Sequence, residues 1–249
     1  MSKIAVITKN FPRHFDFVVS LMETGSLSGV AMVIDEDNTA VKNNETLNNY
    51  YLNSEHKFFG NKFNNISRIK TVTFNEENID SNKLSDFINS LNADLTIIYD
   101  VDGISNNTLS QIKNDIWKLT FGYVQYYKGF YCNIHAALNN KSQSICSSLI
   151  EFKDNSYNGR IIHQTPSIFR QEDTITDAEY RSLRKMMFDM EKIIELYNNK
   201  SIKYYENNGG TFYSIDDLKE SDIKKLIENS SFLAKNTCDN ETIEFIKQI

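Results

Sequence analysis

Four short segments bring together side chains suited to acid–base or anion-binding work: Lys9-Asn-Phe-Pro-Arg-His14, Phe121-Gly-Tyr-Val-Gln-Tyr-Tyr-Lys-Gly129, His135-Ala-Ala-Leu-Asn-Asn140 and Asp154-Asn-Ser-Tyr-Asn-Gly-Arg-Ile-Ile-His-Gln164. Arg13 and His14 stand just after an apolar, β-branched run, on the edge where open α/β sheets bind ligands, and could contact a phosphate or a carboxylate. A surface turn closed by a salt bridge needs the same residues, and both readings stand. Asp100 and Asp102 follow a second apolar run. Two carboxylates there could hold a cation, but a helix-capping loop is the simpler expectation. Tyr126 and Tyr127 read as cleft lining or as core. His135, beside Ala136 and Ala137, reads as a packed helix residue before it reads as a base. Met186, Met187 and Met190 read as helix core or as a dimer face.

These segments need a scaffold, and the apolar periodicity supplies one. Lys3-Ile-Ala-Val-Ile-Thr8 is a buried strand ending in a turn. Phe15, Val18, Val19 and Met22 then recur at helical spacing before Gly25, and Gly29 to Ile34 is a second buried strand. A β-α-β unit this early is the opening of a doubly wound parallel sheet. Leu52 to Phe59 reads as a helix and Ile69 to Phe74 as a strand. An amphipathic helix with Leu84, Phe87, Ile88 and Leu91 inward follows, and then the clearest buried strand, Leu95 to Tyr99. Asp177 to Asn198 is a long helix with an acidic residue in its first turn. Beyond it come a turn at Asn207-Asn-Gly-Gly210, an extended Thr211 to Ser214, and short capped helices at Ser214 to Asp217 and Ser221 to Leu226. No Gly-x-Gly-x-x-Gly follows the first strand, so a dinucleotide site of the usual kind is not supported.

In order and spacing the four segments resemble the folate-dependent formyltransferase family, which includes methionyl-tRNA, glycinamide ribonucleotide and nucleotide-sugar N-formyltransferases. Its members carry an opening strand followed in some by Asn-x-Pro-Arg-His, then Asn-x-His-x-Gly-x-x-Pro-x-Tyr-Arg-Gly, a helix, and Asp-x-Gly-x-Ile-Ile. The resemblance covers roughly residues 2 to 175. It implies a Rossmann-like parallel-sheet α/β domain over 1–175 with a small α/β or helical C-terminal extension over 176–249. It also implies N10-formyltetrahydrofolate as formyl donor if the protein is active, or no cofactor if it is not.

The departures from the pattern matter most. With Tyr126-Tyr127-Lys128-Gly129 set on the family's Tyr-Tyr-Arg-Gly, Gly122 falls on the motif's Gly, and Lys118 and Thr120 on the catalytic Asn and His. Tyr157 falls on the catalytic Asp. The family mechanism needs donors for an oxyanion and a base for the amine proton. Thr120 is no base near neutral pH, and Tyr157, with an ordinary pKa of about 10, is a poor one. Losing an oxyanion donor lowers rates by about 10²–10³ and losing a general base by about 10²–10⁴, so ordinary transfer through these positions is not expected. A second register sets Asn133-Ile134-His135 on the family's Asn-x-His and would restore Asn133 and His135 as a catalytic pair, but no Tyr-Arg-Gly follows it. Lys128 in place of the family's Arg keeps the charge and loses the planar fork. By the resemblance, Arg13, His14, Tyr126, Tyr127 and Lys128 are substrate-side candidates, while Asp100, Asp102 and Gly122 lie where the family meets folate.

Composition narrows the class. The 249 residues carry 27 Lys+Arg against 33 Asp+Glu, a net charge of −6, which argues against a sequence-independent nucleic-acid binder. With 16 Phe, 13 Tyr, 9 Gly and 2 Pro, the chain can fill a core and is neither disordered nor collagen-like. No run is long and apolar enough for a membrane span and no signal peptide is evident, so a cytoplasmic protein is expected. Cys132, Cys146 and Cys238 fit neither a disulfide framework nor a zinc site, and are expected to be reduced and buried. Two functions stay open. One is a formyltransferase-like enzyme acting on a small-molecule amine or nucleotide-linked amino sugar in surface-polysaccharide synthesis. The other is a pseudoenzyme serving as a ligand-binding or partner-regulating module. A homodimer is compatible with either.

Overall fold

The structure is a computed structural model that describes residues 1–34, 41, 44–60, 65–170, 172–228 and 243–249. The expectation for Cys238 falls outside the described residues, whereas Cys132 and Cys146 are buried free thiols. The elements in chain order are β1 (Ile4–Lys9), α1 (Pro12–Glu23), β2 (Leu27–Ile34), α2 (Glu45–Phe59), β3 (Lys70–Asn75), α3 (Asn82–Ser90), β4 (Leu95–Tyr99) and α4 (Asn106–Gln111). They continue with β5 (Asp115–Phe121), β6 (Tyr127–Gly129), α5 (Cys132–Leu138), β7 (Cys146–Glu151), β8 (Ile161–Pro166), α6 (Ile175–Asn198), β9 (Thr211–Tyr213) and α7 (Glu220–Glu228).

Seven strands form one sheet in the order β3-β2-β1-β4-β5-β7-β8. The first five run parallel, and β7 and β8 extend the sheet antiparallel. The apolar runs explain the parallel half. Side chains alternate across a strand, so Ile4 and Val6 enter the core on one face while Ala5 and Ile7 enter the core on the other. Helices α1, α2, α5, α6 and α7 cover the first face, and α3 and α4 the second. The C-terminal segments are woven into this body. Leu183, Met186, Met190 and Ile193 of α6 belong to the same core as Ile4 and Trp117, and the Gln164 backbone of β8 donates to Ile246 O at 2.7 Å. Among the described residues, no helix is long and apolar enough to cross a membrane.

Two helix starts fix the side chains that border the cleft. Pro12 opens α1, where its missing N–H is harmless, and His14 turns back so that its Nδ1 accepts from the Phe11 backbone at 3.3 Å. In α6, Thr174 Oγ1 accepts from the Asp177 backbone at 3.0 Å while Asp177 accepts in return from the Thr174 backbone, a reciprocal cap. The loop after β4 caps α4, though not through its carboxylates. Ser105 is the capping residue, and the carboxylate that receives its N–H, at 2.9 Å, belongs to Asp80, not to Asp100 or Asp102.

In Tyr157-Asn-Gly-Arg-Ile-Ile162 the glycine is demanded by close approach. A Cβ at Gly159 would lie 1.8 Å from the Glu151 carbonyl oxygen on the facing strand. Gly159→Ala must therefore shift backbone, and about 1–3 kcal/mol of destabilisation is expected in urea unfolding. An unchanged midpoint would show that the β7–β8 connection yields freely.

Candidate functional site

The strand order reverses direction between β1 and β4. In open α/β sheets such a switch point splays the following loops apart at the carboxyl ends of the strands. A cavity of about 590 Å³ lies there, lined by Lys9 at the end of β1 and Arg13 of α1, by Tyr99 at the end of β4 and the following Asp100 to Gly103, and by Lys118 to Phe121 of β5. Tyr131 and Cys132, Tyr157, and Glu179 and Tyr180 at the start of α6 complete much of its wall. Among the described residues, six besides glycine have left-handed backbone, and Asp100, Tyr131 and Tyr157 are three of them. Strain of this kind gathers where a site dictates the backbone.

On the β1 side, Arg13 is 4% exposed and held between two carboxylates. Its guanidinium bonds Glu55 of α2, which is wholly buried, and reaches Asp100 Oδ2 at 2.6 Å. Burial opposes the charge on Arg13, but Glu55 and the neighbouring groups outweigh it and the pKa rises. For Asp100, burial pushes upward while Arg13 and His14 pull harder, leaving the carboxyl well below its ordinary range. His14 is fully buried, with Nε2 3.3 Å from Asp100 Oδ2. Burial first and the Arg13 charge second lower its pKa to about 3. Since Nδ1 accepts from the backbone, the neutral ring carries its proton on Nε2. Arg13 and His14 thus form a buried ion network and not a surface turn.

On the β5 side, Lys118 is 3% exposed. Its Nζ donates to Asp102 Oδ1 at 2.7 Å and to Val101 O at 3.2 Å, and it sits 4.6 Å from the centroid of the Tyr157 ring. The Tyr157 hydroxyl donates to the same Asp102 oxygen at 2.9 Å. Burial, and then the Asp102 charge, raise the Tyr157 pKa well above its ordinary value, so the phenol keeps its proton. Lys118 and Tyr157 therefore meet, bridged through a carboxylate. Thr120 also lines the cavity.

Glu179 was not visible as a site residue in the sequence. It is 2% exposed, its Oε2 accepts from Asn133 Nδ2 at 2.9 Å, and its Oε1 has no partner. Burial raises its pKa to about 8 against the milder pull of Asn133, so it is largely protonated near neutrality. A signal did exist. Glu179 falls on the helical row of Leu183, Met186 and Met190, and Glu55 on that of Leu47 and Tyr51. A carboxylate in register with an apolar stripe is one that must be buried and answered.

The remaining candidates lie elsewhere. Asn133 is wholly buried and, besides Glu179, exchanges hydrogen bonds with the backbone N and O of Cys146. His135 stacks on Tyr213 at 3.9 Å and is absent from the cavity wall. Tyr126 is 61% exposed, Tyr127 stacks on Tyr213, and Lys128 Nζ donates to Asn158 Oδ1 at 2.5 Å; none of the three lines the cavity. Gly122 stands behind it with φ +104°, its missing Cβ leaving room for Cys132.

A seven-stranded sheet with this switch point, and a cleft at the carboxyl ends of β1, β4 and β5, is the fold of the formyltransferases. No family sequence model matches the chain, and no characterised protein matches it by sequence. The likeness is structural. A sugar N-formyltransferase from Shewanella sp FDAARGOS_354 superposes with a TM-score of 0.59 at 11% identity, over 92% of this chain and 86% of that one. An N-formyltransferase from Helicobacter canadensis, solved with folinic acid and dTDP-3-aminofucose, gives 0.56 at 18% identity over 93% and 81%. Phosphoribosylglycinamide formyltransferase from Anaplasma phagocytophilum gives 0.58 at 12% identity over 85% and 99%.

Proposed function

We propose that this formyltransferase-fold protein binds a small molecule bearing an amine, such as a nucleotide-linked amino sugar, and has lost formyl transfer through the family's triad positions. The observation that carries the proposal is the pairing of Lys118 and Tyr157 through one oxygen of Asp102. A developing oxyanion needs positive potential that nothing else has neutralised. Here the Lys118 ammonium is compensated at 2.7 Å, and the Asp102 carboxylate would face the new negative charge. Tyr157 cannot take the amine proton, Thr120 has no basicity to offer, and the buried imidazole of His14 is a very weak base. The residues present do not fit the chemistry of a formyl donor at this point, so no transfer step is assigned to them. The cavity itself is retained, which favours a ligand-binding or partner-regulating role. In this reading the protein works in the cytoplasm alongside amino-sugar metabolism for surface polysaccharide.

Two measurements test the reading. Incubation with N10-formyltetrahydrofolate and dTDP-3-aminofucose is expected to yield no formylated sugar. Calorimetric titration with 5-formyltetrahydrofolate is expected to show no saturable heat in the micromolar range. Product, or micromolar binding that Lys118→Ala abolishes, would restore the transferase and overturn the proposal.

A further inference from the structure

A buried polar atom without a partner forfeits about 1–3 kcal/mol, so native structures hold few of them and each calls for a cause. Four occur together in this cleft. Arg13 Nε, Tyr99 Oη, Tyr180 Oη and Glu179 Oε1 lack a hydrogen-bond partner, and all four residues line the cavity. Polar groups of this kind on a cavity wall are satisfied by water or by a polar ligand, and the charges around them say of which sign such a ligand is.

Of the cations on the cavity wall, which include Lys9, Arg13 is answered by Glu55 and Asp100 and Lys118 by Asp102. An anionic ligand would meet Asp100 and Asp102 with no uncompensated charge of either pair to receive it. Glu179 is the reverse case. Its carboxyl has no cationic partner and is fixed in place by Asn133, which is itself pinned to Cys146 on β7. Beside it runs a continuous aromatic wall. The ring centroids of Tyr131 and Tyr51, of Tyr51 and Tyr180, and of Tyr180 and Phe121 are each 6.4 Å apart, and all four residues line the cavity. A buried carboxylate within an aromatic wall is the chemistry that recognises an organic cation: aromatic rings attract it with their negative faces, as the Tyr180 ring already does the Arg13 guanidinium at 5.7 Å, and the carboxylate supplies a charge-assisted hydrogen bond.

We infer that this end of the cleft is the seat of an alkylammonium group, held by the Glu179 carboxylate against Tyr51, Tyr131, Tyr180 and Phe121. The inference rests on the proposal that the cleft takes an amine-bearing small molecule, and it names the group that holds the amine. Such binding is coupled to protonation. The groups acting on Glu179 are Arg13 from α1, Tyr50 and Tyr51 from α2, Asp100 after β4, Asn133 and Cys132 on α5, and Tyr180 on α6 itself. In the free protein Glu179 holds its proton up to about pH 8. Seating an ammonium requires the carboxylate, so at pH 7 binding expels close to one proton, and affinity climbs with pH until about 8.

The test uses three compounds of matched body: 2-phenylethylammonium, 2-phenylethanol and 3-phenylpropionate. Calorimetry of the full chain at pH 7, repeated in buffers of different ionisation enthalpy, is expected to rank the ammonium first and the carboxylate last, with proton release for the ammonium alone. Glu179→Gln keeps an acceptor for Asn133, and is expected to cut the preference for ammonium over alcohol about tenfold or more. The wild-type ranking needs no variant, so the test survives if Glu179→Gln fails to fold. Equal binding of all three compounds, or a preference for ammonium that Glu179→Gln leaves unchanged, would overturn the seat while leaving small-molecule binding in the cleft intact. No binding by any of the three would overturn both.

Discussion

Replacing Arg13 with Met destabilises the protein by about 3–5 kcal/mol, the scale on which a buried ion pair responds when one partner is removed. The magnitude comes from what is left behind. Glu55 is wholly buried and bonds both the backbone N–H of Arg13, at 3.0 Å, and its guanidinium. Without the guanidinium a carboxylate stays under α2 with only the backbone N–H as compensation. Asp100, whose side chain is 30% exposed, can recover solvation and contributes less to the loss. The Arg13→Met/Glu55→Leu double variant, which removes both charges, is expected to recover much of the stability, because the desolvation penalty disappears with them. Urea unfolding of the two single variants and the double completes the cycle. A loss below about 1 kcal/mol for Arg13→Met would mean that water reaches this pocket and that the network is not buried in solution.

The second large effect is a pH profile that rises from acid and falls again above pH 6.5. Glu179 has its folded pKa raised from an ordinary 4.5 to about 8, so its contribution is fully present below 4.5 and is lost as pH rises through 8. His14 has its folded pKa lowered from 6.5 to about 3, so its contribution is present above 6.5 and is lost as pH falls toward 3. Between pH 4.5 and 6.5 the folded protein holds one proton more on Glu179 and one fewer on His14 than the unfolded chain, so these two slopes oppose each other, and His135 and His163, whose pKa burial also lowers, add a rise of stability with pH. From 6.5 to 8 Glu179 acts alone, and stability is expected to fall by about 1.4 kcal/mol per pH unit. Below 4.5 His14 acts in the opposite sense, joined by Asp100, whose carboxyl Arg13 holds ionised against burial. Urea midpoints measured from pH 4 to 9 read the profile directly. Glu179→Gln should remove the fall above 6.5 and leave the acid limb in place. A wild-type profile level from 6.5 to 8 would show that Glu179 is ionised in the free protein, and would also withdraw the proton release expected on ammonium binding.

The two effects share one cause. The same cleft that holds Arg13, Asp100 and Glu55 in balance also holds Glu179 out of balance. Stability and ligand binding are therefore linked: an ammonium seated on Glu179 supplies the charge the fold lacks there, and should raise the unfolding midpoint most above pH 6.5, where the free protein is weakening.

The sequence by itself determined the scaffold. Alternating apolar residues such as Ile4-Ala5-Val6-Ile7 dictate strands buried on both faces, and the interposed helical periods dictate parallel crossovers, because these patterns are local and repeat. It also singled out Lys118, Thr120 and Tyr157, which the fold brings to one cavity. It did not show that β7 and β8 run antiparallel. Nor could it show what the charged residues answer to. Tyr157 meets Asp102 across 55 positions of chain, Lys118 across 16, Arg13 meets Asp100 across 87, and Asn133 reaches Glu179 across 46. Whether a carboxylate caps a helix, neutralises an arginine or waits for a ligand depends on which side chains the folded sheet brings within about 3 Å and on how much water is left beside them. That distance and that dryness are properties of the tertiary structure alone.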